Sequence, residues 1–184
     1  LHKAYELWPK HSNLKKIIAN TSIQWLQIIE DKPKIKEALW LQHLKGILLI
    51  QPRQGSAIRI RRKYIHNQRA ELKTAYRQKD YDKAISAGMS VYFLQDDLPG
   101  VALLIGRSFY AKQQFAEALI WFTKATNLNK FDLSTWMLRI KAALKTQDFI
   151  EALAILESLP SEFISDEKSK TNAQLVIQKA KNYM

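Results

Sequence analysis

Asp80-Tyr81-Asp82-Lys83-Ala84-Ile85, Gln114-Phe115-Ala116-Glu117-Ala118-Leu119 and Asp148-Phe149-Ile150-Glu151-Ala152-Leu153 are three versions of one phrase, set at equal intervals along the chain. In each, an aromatic ring stands three residues ahead of an alanine, which puts a bulky and a small side chain on one face of a helix. A period in the thirties marks an array of helical hairpins, none of which can bury its apolar face alone. Stacked side by side, such hairpins form an extended surface, so a binding scaffold is the default against which an enzyme must be argued.

Composition agrees with an all-α chain. Five glycines and five prolines in 184 residues suit long helices joined by short turns, not a strand-rich fold. There is no cysteine, which excludes disulfides and thiolate metal sites and allows a reducing compartment; a cytoplasmic location is the expectation. The longest apolar stretch, Ala38 to Ile50, is broken by Gln42, His43, Lys45 and Gly46 and falls short of the roughly 20 residues a membrane span needs. The sequence opens at Leu1 and not at a methionine, which leaves room for a targeting segment or a catalytic domain upstream. The net charge of +12 is concentrated: fourteen Lys or Arg lie between Lys32 and Lys83 against Glu37, Glu71, Asp80 and Asp82, an excess of ten. Such a field favours acidic partners, whether protein, nucleic acid, lipid or polysaccharide.

Setting the first positions at Ile65, Pro99 and Leu133 predicts hairpins over 65–98, 99–132 and 133–166, with an amphipathic capping helix over 166–183. In the middle hairpin, helix A is expected from Pro99 to Lys112 and helix B from Phe115 to Leu128, with Asp97 as a cap ahead of Pro99. In the third, Asp132 should cap helix A, Asp148 and Glu151 should form a capping box before helix B, and Pro160 should end that helix early. Residues 1–52 read as divergent hairpins of the same superhelix: a closing turn at Leu7-Trp8-Pro9, a helical stripe from Asn13 to Ile29, and a helix opening at Pro33. The clear break is Gln51 to Ser56, so repeats and cap are expected to occupy 59–184.

On these residues the chain resembles the tetratricopeptide repeat (TPR) family. The middle hairpin carries the likeness best, with Ile105-Gly106, Phe109, Phe115, Ala118, Phe122 and Ala125; Trp136, Phe149, Ala152 and Leu156 continue it in the third. Glu71-Leu72 and Arg139-Ile140 stand where the family often has a large-small pair, Gly88 replaces a bulky residue, and no proline closes a repeat at Lys130. The resemblance implies an α-α superhelix whose A helices line a concave side, and a protein-binding function.

Catalytic signatures are missing. His2, His11, His43 and His66 are scattered, with neither a helix-spaced partner histidine nor an HExxH arrangement, so no metal and no cofactor is expected. Gly100 to Gly106 falls inside a predicted helix, where it serves packing instead of cradling phosphate. Trp25, Trp40, Trp121 and Trp136 fall in apolar stripes and are assigned to the core, with Met89 and Met137 as gap fillers.

One A-helix column is basic: Lys73, Arg107 and Lys141, spaced by the same interval as the repeated phrase. Arg69, Arg77 and Lys145 flank it, Tyr76 and Tyr110 form an aromatic column, and Leu103 and Met137 supply an apolar floor. A second basic patch is expected at Arg59, Arg61, Arg62 and Lys63. TPR proteins that clamp acidic chaperone tails also use paired asparagines, and the A helices here offer only Asn67, so that specificity is not carried over. The expectation is a non-catalytic scaffold holding an acidic or amphipathic protein segment in a basic groove. Two alternatives stand beside it: an accessory domain of a larger bacterial envelope or polysaccharide-building enzyme that tracks an anionic polymer, and nucleic-acid binding through the Arg59 to Lys63 string, which would weaken steeply with salt.

Overall fold

A computed structural model describes residues 12–30, 37–164 and 178. Its described residues are helices and short connections: α1 (Ser12–Glu30), α2 (Glu37–Ile50), α3 (Gly55–Arg77), α4 (Tyr81–Leu94), α5 (Pro99–Ala111), α6 (Phe115–Leu128), α7 (Leu133–Lys145), α8 (Phe149–Glu157) and α9 (Ser161–Ile164). The turn expected at Leu7 to Pro9, the helix start at Pro33 and, apart from helical Gln178, the capping segment 166–183 lie outside the described residues. Two compact units divide at Gln68/Arg69, within α3 and not at the Gln51 to Ser56 break. That break is short: the connection is Gln51 to Gln54, and α3 then runs uninterrupted because nothing between Ser56 and Ile65 breaks a helix.

In the first unit, α1 buries Ile18, Ala19, Ile23 and Leu26, and α2 buries Trp40, Leu41, Leu44 and Ile47, each set recurring at helical spacing. The start of α3 adds Ala57 and Ile65, and the ring of Tyr64 lies 4.7 Å from that of Trp40. The Tyr64 hydroxyl donates to the Glu37 carboxylate.

The second unit contains the repeats. Each hairpin turn has the same backbone: Lys79, Gln113 and Gln147, which fall at matching places in successive repeats, have φ of 62°, 60° and 62°. In the first turn the Lys79 N–H donates to the Tyr76 carbonyl (3.1 Å) and the Asp80 N–H to the Ala75 carbonyl (2.9 Å), a Schellman closure. The other two turns repeat it, Gln114 to Phe109 at 3.0 Å and Asp148 to Ala143 at 3.1 Å. None of the three left-handed residues is glycine, so each carries a steric cost of about 1 kcal/mol.

Capping follows the sequence in part. Asp80 accepts from the Lys83 amide (3.1 Å), Asp148 from the Glu151 amide (2.9 Å), and Asp132 from the Ser134 amide and the Ser134 and Thr135 hydroxyls. Asp97 does not cap α5: Leu98 takes that position in an extended conformation, which leaves the carboxylate one residue outside it. The box at Asp148 closes from one side only, because its own N–H is engaged by Ala143 and the Glu151 side chain turns to Arg139 instead. Pro160 follows the end of α8, as expected.

Packing runs between sequential neighbours, α4 on α5, α5 on α6, α6 on α7 and α7 on α8. Phe122, Ala118 and Ala142 form one buried cluster with Leu103, Phe109 and Tyr110 against it; Trp136, Ile140, Ala143, Ala152, Ile155 and Leu156 form another. Trp40, Trp121 and Trp136 are buried and Trp25 half-buried. Met137 packs on the second cluster, but Met89 does not fill a gap: it is 47% exposed on α4.

Candidate functional site

The candidate site lies on the A helices of the second unit. In α5 the buried residues are Val101, Ala102, Ile105, Gly106 and Ser108, and in α7 they are Thr135, Trp136, Ile140, Ala142 and Ala143. At 100° per residue, Arg107 and Lys141 fall roughly half a turn from the centres of these arcs, and Lys73 falls over a quarter turn from Leu72 and nearly half a turn from Ala75. Helical geometry therefore turns each of the three away from its own buried side. Lys73 and Lys141 are exposed and Arg107 is half-buried. Arg69, Arg77 and Lys145 are exposed as well.

Charge partners separate two kinds of cation in this unit. Lys83 pairs with Glu71 within the first hairpin, Lys112 with Asp82 between the first and second, and Arg139 with Glu151 at 3.5 Å within the third. Arg139 also lies 5.4 Å from the Trp136 ring, and burial lowers its pKa although Glu151 pulls the other way. These cations bridge neighbouring helices. Lys73, Arg107 and Lys141, by contrast, make no ion pair among the described residues.

The aromatic column has a structural job. Tyr76 meets Tyr81 edge-on at 6.0 Å, and Tyr110 meets Phe115 at 5.1 Å and Phe122 at 6.3 Å, so both tyrosines clasp the hairpin turn they precede and stand half-buried. Leu103 and Met137 are half-buried against the two clusters and thus have fixed positions. One of the four residues of the second patch stands apart from the other three, which share a side of α3. Arg59, Arg62 and Lys63 are exposed, whereas Arg61 turns toward the opposite side of α3, half-buried, with its Nε in no hydrogen bond. Successive helical residues point 100° apart, so four basic positions so close in sequence cannot share one face.

A feature the sequence reading missed lies on the B helices: the Lys124 ammonium stands 4.1 Å from the Trp121 ring and 5.0 Å from that of Tyr92, whose own ring meets Trp121 at 4.8 Å. Its only sequence signal was the i, i+3 spacing of Trp121 and Lys124. Burial and the Asp96 charge push the Tyr92 hydroxyl up. No group of three or more metal-binding side chains occurs among the described residues, and none of their helices is long and apolar enough to cross a membrane.

Three hairpins in a row, each turning through a left-handed residue and packing on its neighbours, define an all-α helical-repeat solenoid. The fold is that of the tetratricopeptide repeat. The chain is similar to the TPR2B domain of yeast Sti1, solved in a complex with pHsp70 (TM-score 0.54, 14% identity, 66% of this chain and 99% of that one). It is similar also to the first TPR of Spaghetti (RPAP3), solved with the HSP90 peptide SRMEEVD (0.53, 16%, 64% and 93%), and to the Arabidopsis OM64 TPR domain (0.53, 16%, 67% and 99%). At such identities the likeness is one of fold. No protein-family model and no curated protein matches the chain.

Proposed function

We propose that this chain is a non-catalytic protein-interaction scaffold that holds an acidic or amphipathic segment of a partner against the exposed side of α3, α5 and α7. The observation that carries this reading is the contrast in charge partners. Cations that bridge helices have carboxylates, while the row Lys73, Arg107 and Lys141 has none among the described residues and recurs once in every repeat. On neighbouring A helices such a row advances by about 10 Å per step. Leu103 and Met137, fixed by the core below them, add apolar contact beside the charges, and Arg69, Arg77 and Lys145 extend the positive field. Each exposed ion pair contributes little, so binding requires several acting together on a frame that is already ordered. Solved TPR relatives in complexes with chaperone-derived peptides support peptide capture as the use of this fold. The cysteine-free chain is read as acting in the cytoplasm.

The test is titration of a fluorescein-labelled hexaglutamate peptide against the parent and the Lys73→Ala/Arg107→Ala/Lys141→Ala variant, with helicity checked by circular dichroism. A drop in affinity of tenfold or more with unchanged helicity is expected. Equal binding by the two proteins would remove the row from the site. Competition by dextran sulfate or single-stranded DNA in place of peptide, with the same triple dependence, would shift the assignment to an anionic polymer.

A further inference from the structure

The first unit contains a cleft that the groove reading does not use. It lies between α1 and α2, with a volume of about 230 Å³, and is lined by Ile18 and Ser22 on one side and by Gln42, His43, Gly46, Ile47 and Ile50 on the other. Each set recurs at helical spacing, so two helix faces form its walls. Ile18, Ser22 and Ile47 are buried, and His43 is held in place by the ring of Trp25 at 4.7 Å.

Gly46 gives this cleft meaning. It sits in the interior of α2, where glycine weakens a helix relative to alanine. Gly88 and Gly106 repay that cost by close packing, since a Cβ on either would strike a neighbouring side chain at under 3 Å. A Cβ on Gly46 would meet nothing within 4 Å, and its φ is not positive. Neither a turn nor a tight contact requires glycine there. What the missing side chain does is leave the cleft open.

We infer that this cleft binds a small neutral molecule with a ring-sized or branched apolar body and one hydrogen-bonding group. Its volume accommodates a single ring with a short substituent. Isoleucines supply the apolar walls, and among the described residues no Asp, Glu, Lys or Arg lines the space, so a charged ligand would find no ionic partner in these two helix faces. Ser22, Gln42 and His43 provide a hydroxyl, an amide and an imidazole for the polar end, a set that both donates and accepts. Burial, and after it the positive charge of the chain's N-terminus, lowers the His43 pKa, which keeps the ring uncharged near neutral pH.

Benzyl alcohol and benzoate, alike in size and different in charge, are the probes. In amide NMR titrations of the full chain, benzyl alcohol should produce saturable shifts at Gly46 and His43, and benzoate should bind at least tenfold more weakly. Gly46→Leu, which fills the space, should abolish the shift at His43 while raising the melting temperature; Gly46→Ala, for which the structure leaves room, should weaken binding severalfold with the fold intact. Absence of saturable shifts at these residues, or equal affinity in the parent and the Gly46→Ala and Gly46→Leu variants, would overturn the assignment. Benzoate binding as well as benzyl alcohol would overturn the neutral-ligand claim.

Discussion

Gly106 of α5 lies beneath the ring of Phe122 of α6, so close that a Cβ on the glycine would stand 2.7 Å from the ring's Cδ1. The first hairpin makes the opposite choice at the equivalent places. Leu72 is large on the A helix and Gly88 is empty on the B helix, where a Cβ would come within 2.5 Å of Ile105 and 3.5 Å of Leu72. The space beside Gly88 is thus taken mainly by Ile105 of the next hairpin, with Leu72 at ordinary contact distance, whereas the space beside Gly106 is taken by Phe122 of its own hairpin.

Gly106→Ala should therefore destabilise the fold by about 1–2 kcal/mol, the overpacking cost less the helix-propensity gain of alanine. Adding Phe122→Leu should recover part of that loss, so the double variant is more stable than the two single effects summed. Urea unfolding of the four proteins measures this directly, and strict additivity would show that the two side chains do not compete for the same space.

Gln114 stands where Asp80 and Asp148 cap the other B helices, yet its side chain makes no capping bond and its Oε1 is buried without a partner. Gln114→Asp should supply the cap and remove the orphaned oxygen. A gain of about 1 kcal/mol in unfolding free energy is expected.

Gln113 and Gln147 hold left-handed backbone at a position where glycine has no steric cost. Replacing either by glycine should stabilise the chain by about 0.5–1 kcal/mol, and replacing either by valine, whose branched Cβ resists positive φ, should destabilise it by more. Thermal melts of the four single variants decide the matter, and a loss on going to glycine would argue against the left-handed turn.

Burial pushes the Asp132 carboxyl up, but bonds from the Ser134 and Thr135 hydroxyls and amides hold it net below its ordinary 3.8. A depressed carboxyl adds stability that is present in full above 3.8 and is lost as pH falls through the lower folded value. Asp132→Ala should cost about 1 kcal/mol at neutral pH. That difference should shrink as the pH is taken well below 3.8, which paired denaturation curves would reveal.

Repeat period, helix order and the ends of α6 were legible because each is written locally, in aromatic-to-alanine spacing and in turn and cap residues. Gly88 reads as a departure from a pattern, since comparison by position cannot see that Ile105 of the next hairpin occupies the room a larger residue would need. Met89 was placed inside on hydrophobicity alone, but a single exposed methionine costs little and α4 turns it outward. The break at Gln51 to Ser56 was visible from its Pro and Gly; the division inside α3 was not, because a uniform helical sequence gives no mark where its packing partners change. At the candidate site, spacing alone picked out Lys73, Arg107 and Lys141. Spacing sets Tyr76 and Tyr110 in one column, but their packing on Tyr81 and Phe115 depends on a turn geometry that residue types do not announce.

α7 faces two ways: Ala142 closes the cluster around Phe122, while Trp136, Ile140 and Ala143 belong to the one around Ile155. A chain cut after Leu128 would lose more than its last hairpin, because the middle hairpin would be left with an open flank. Such shared walls make the array hard to shorten one module at a time, and they pass damage at one end into the next compartment along.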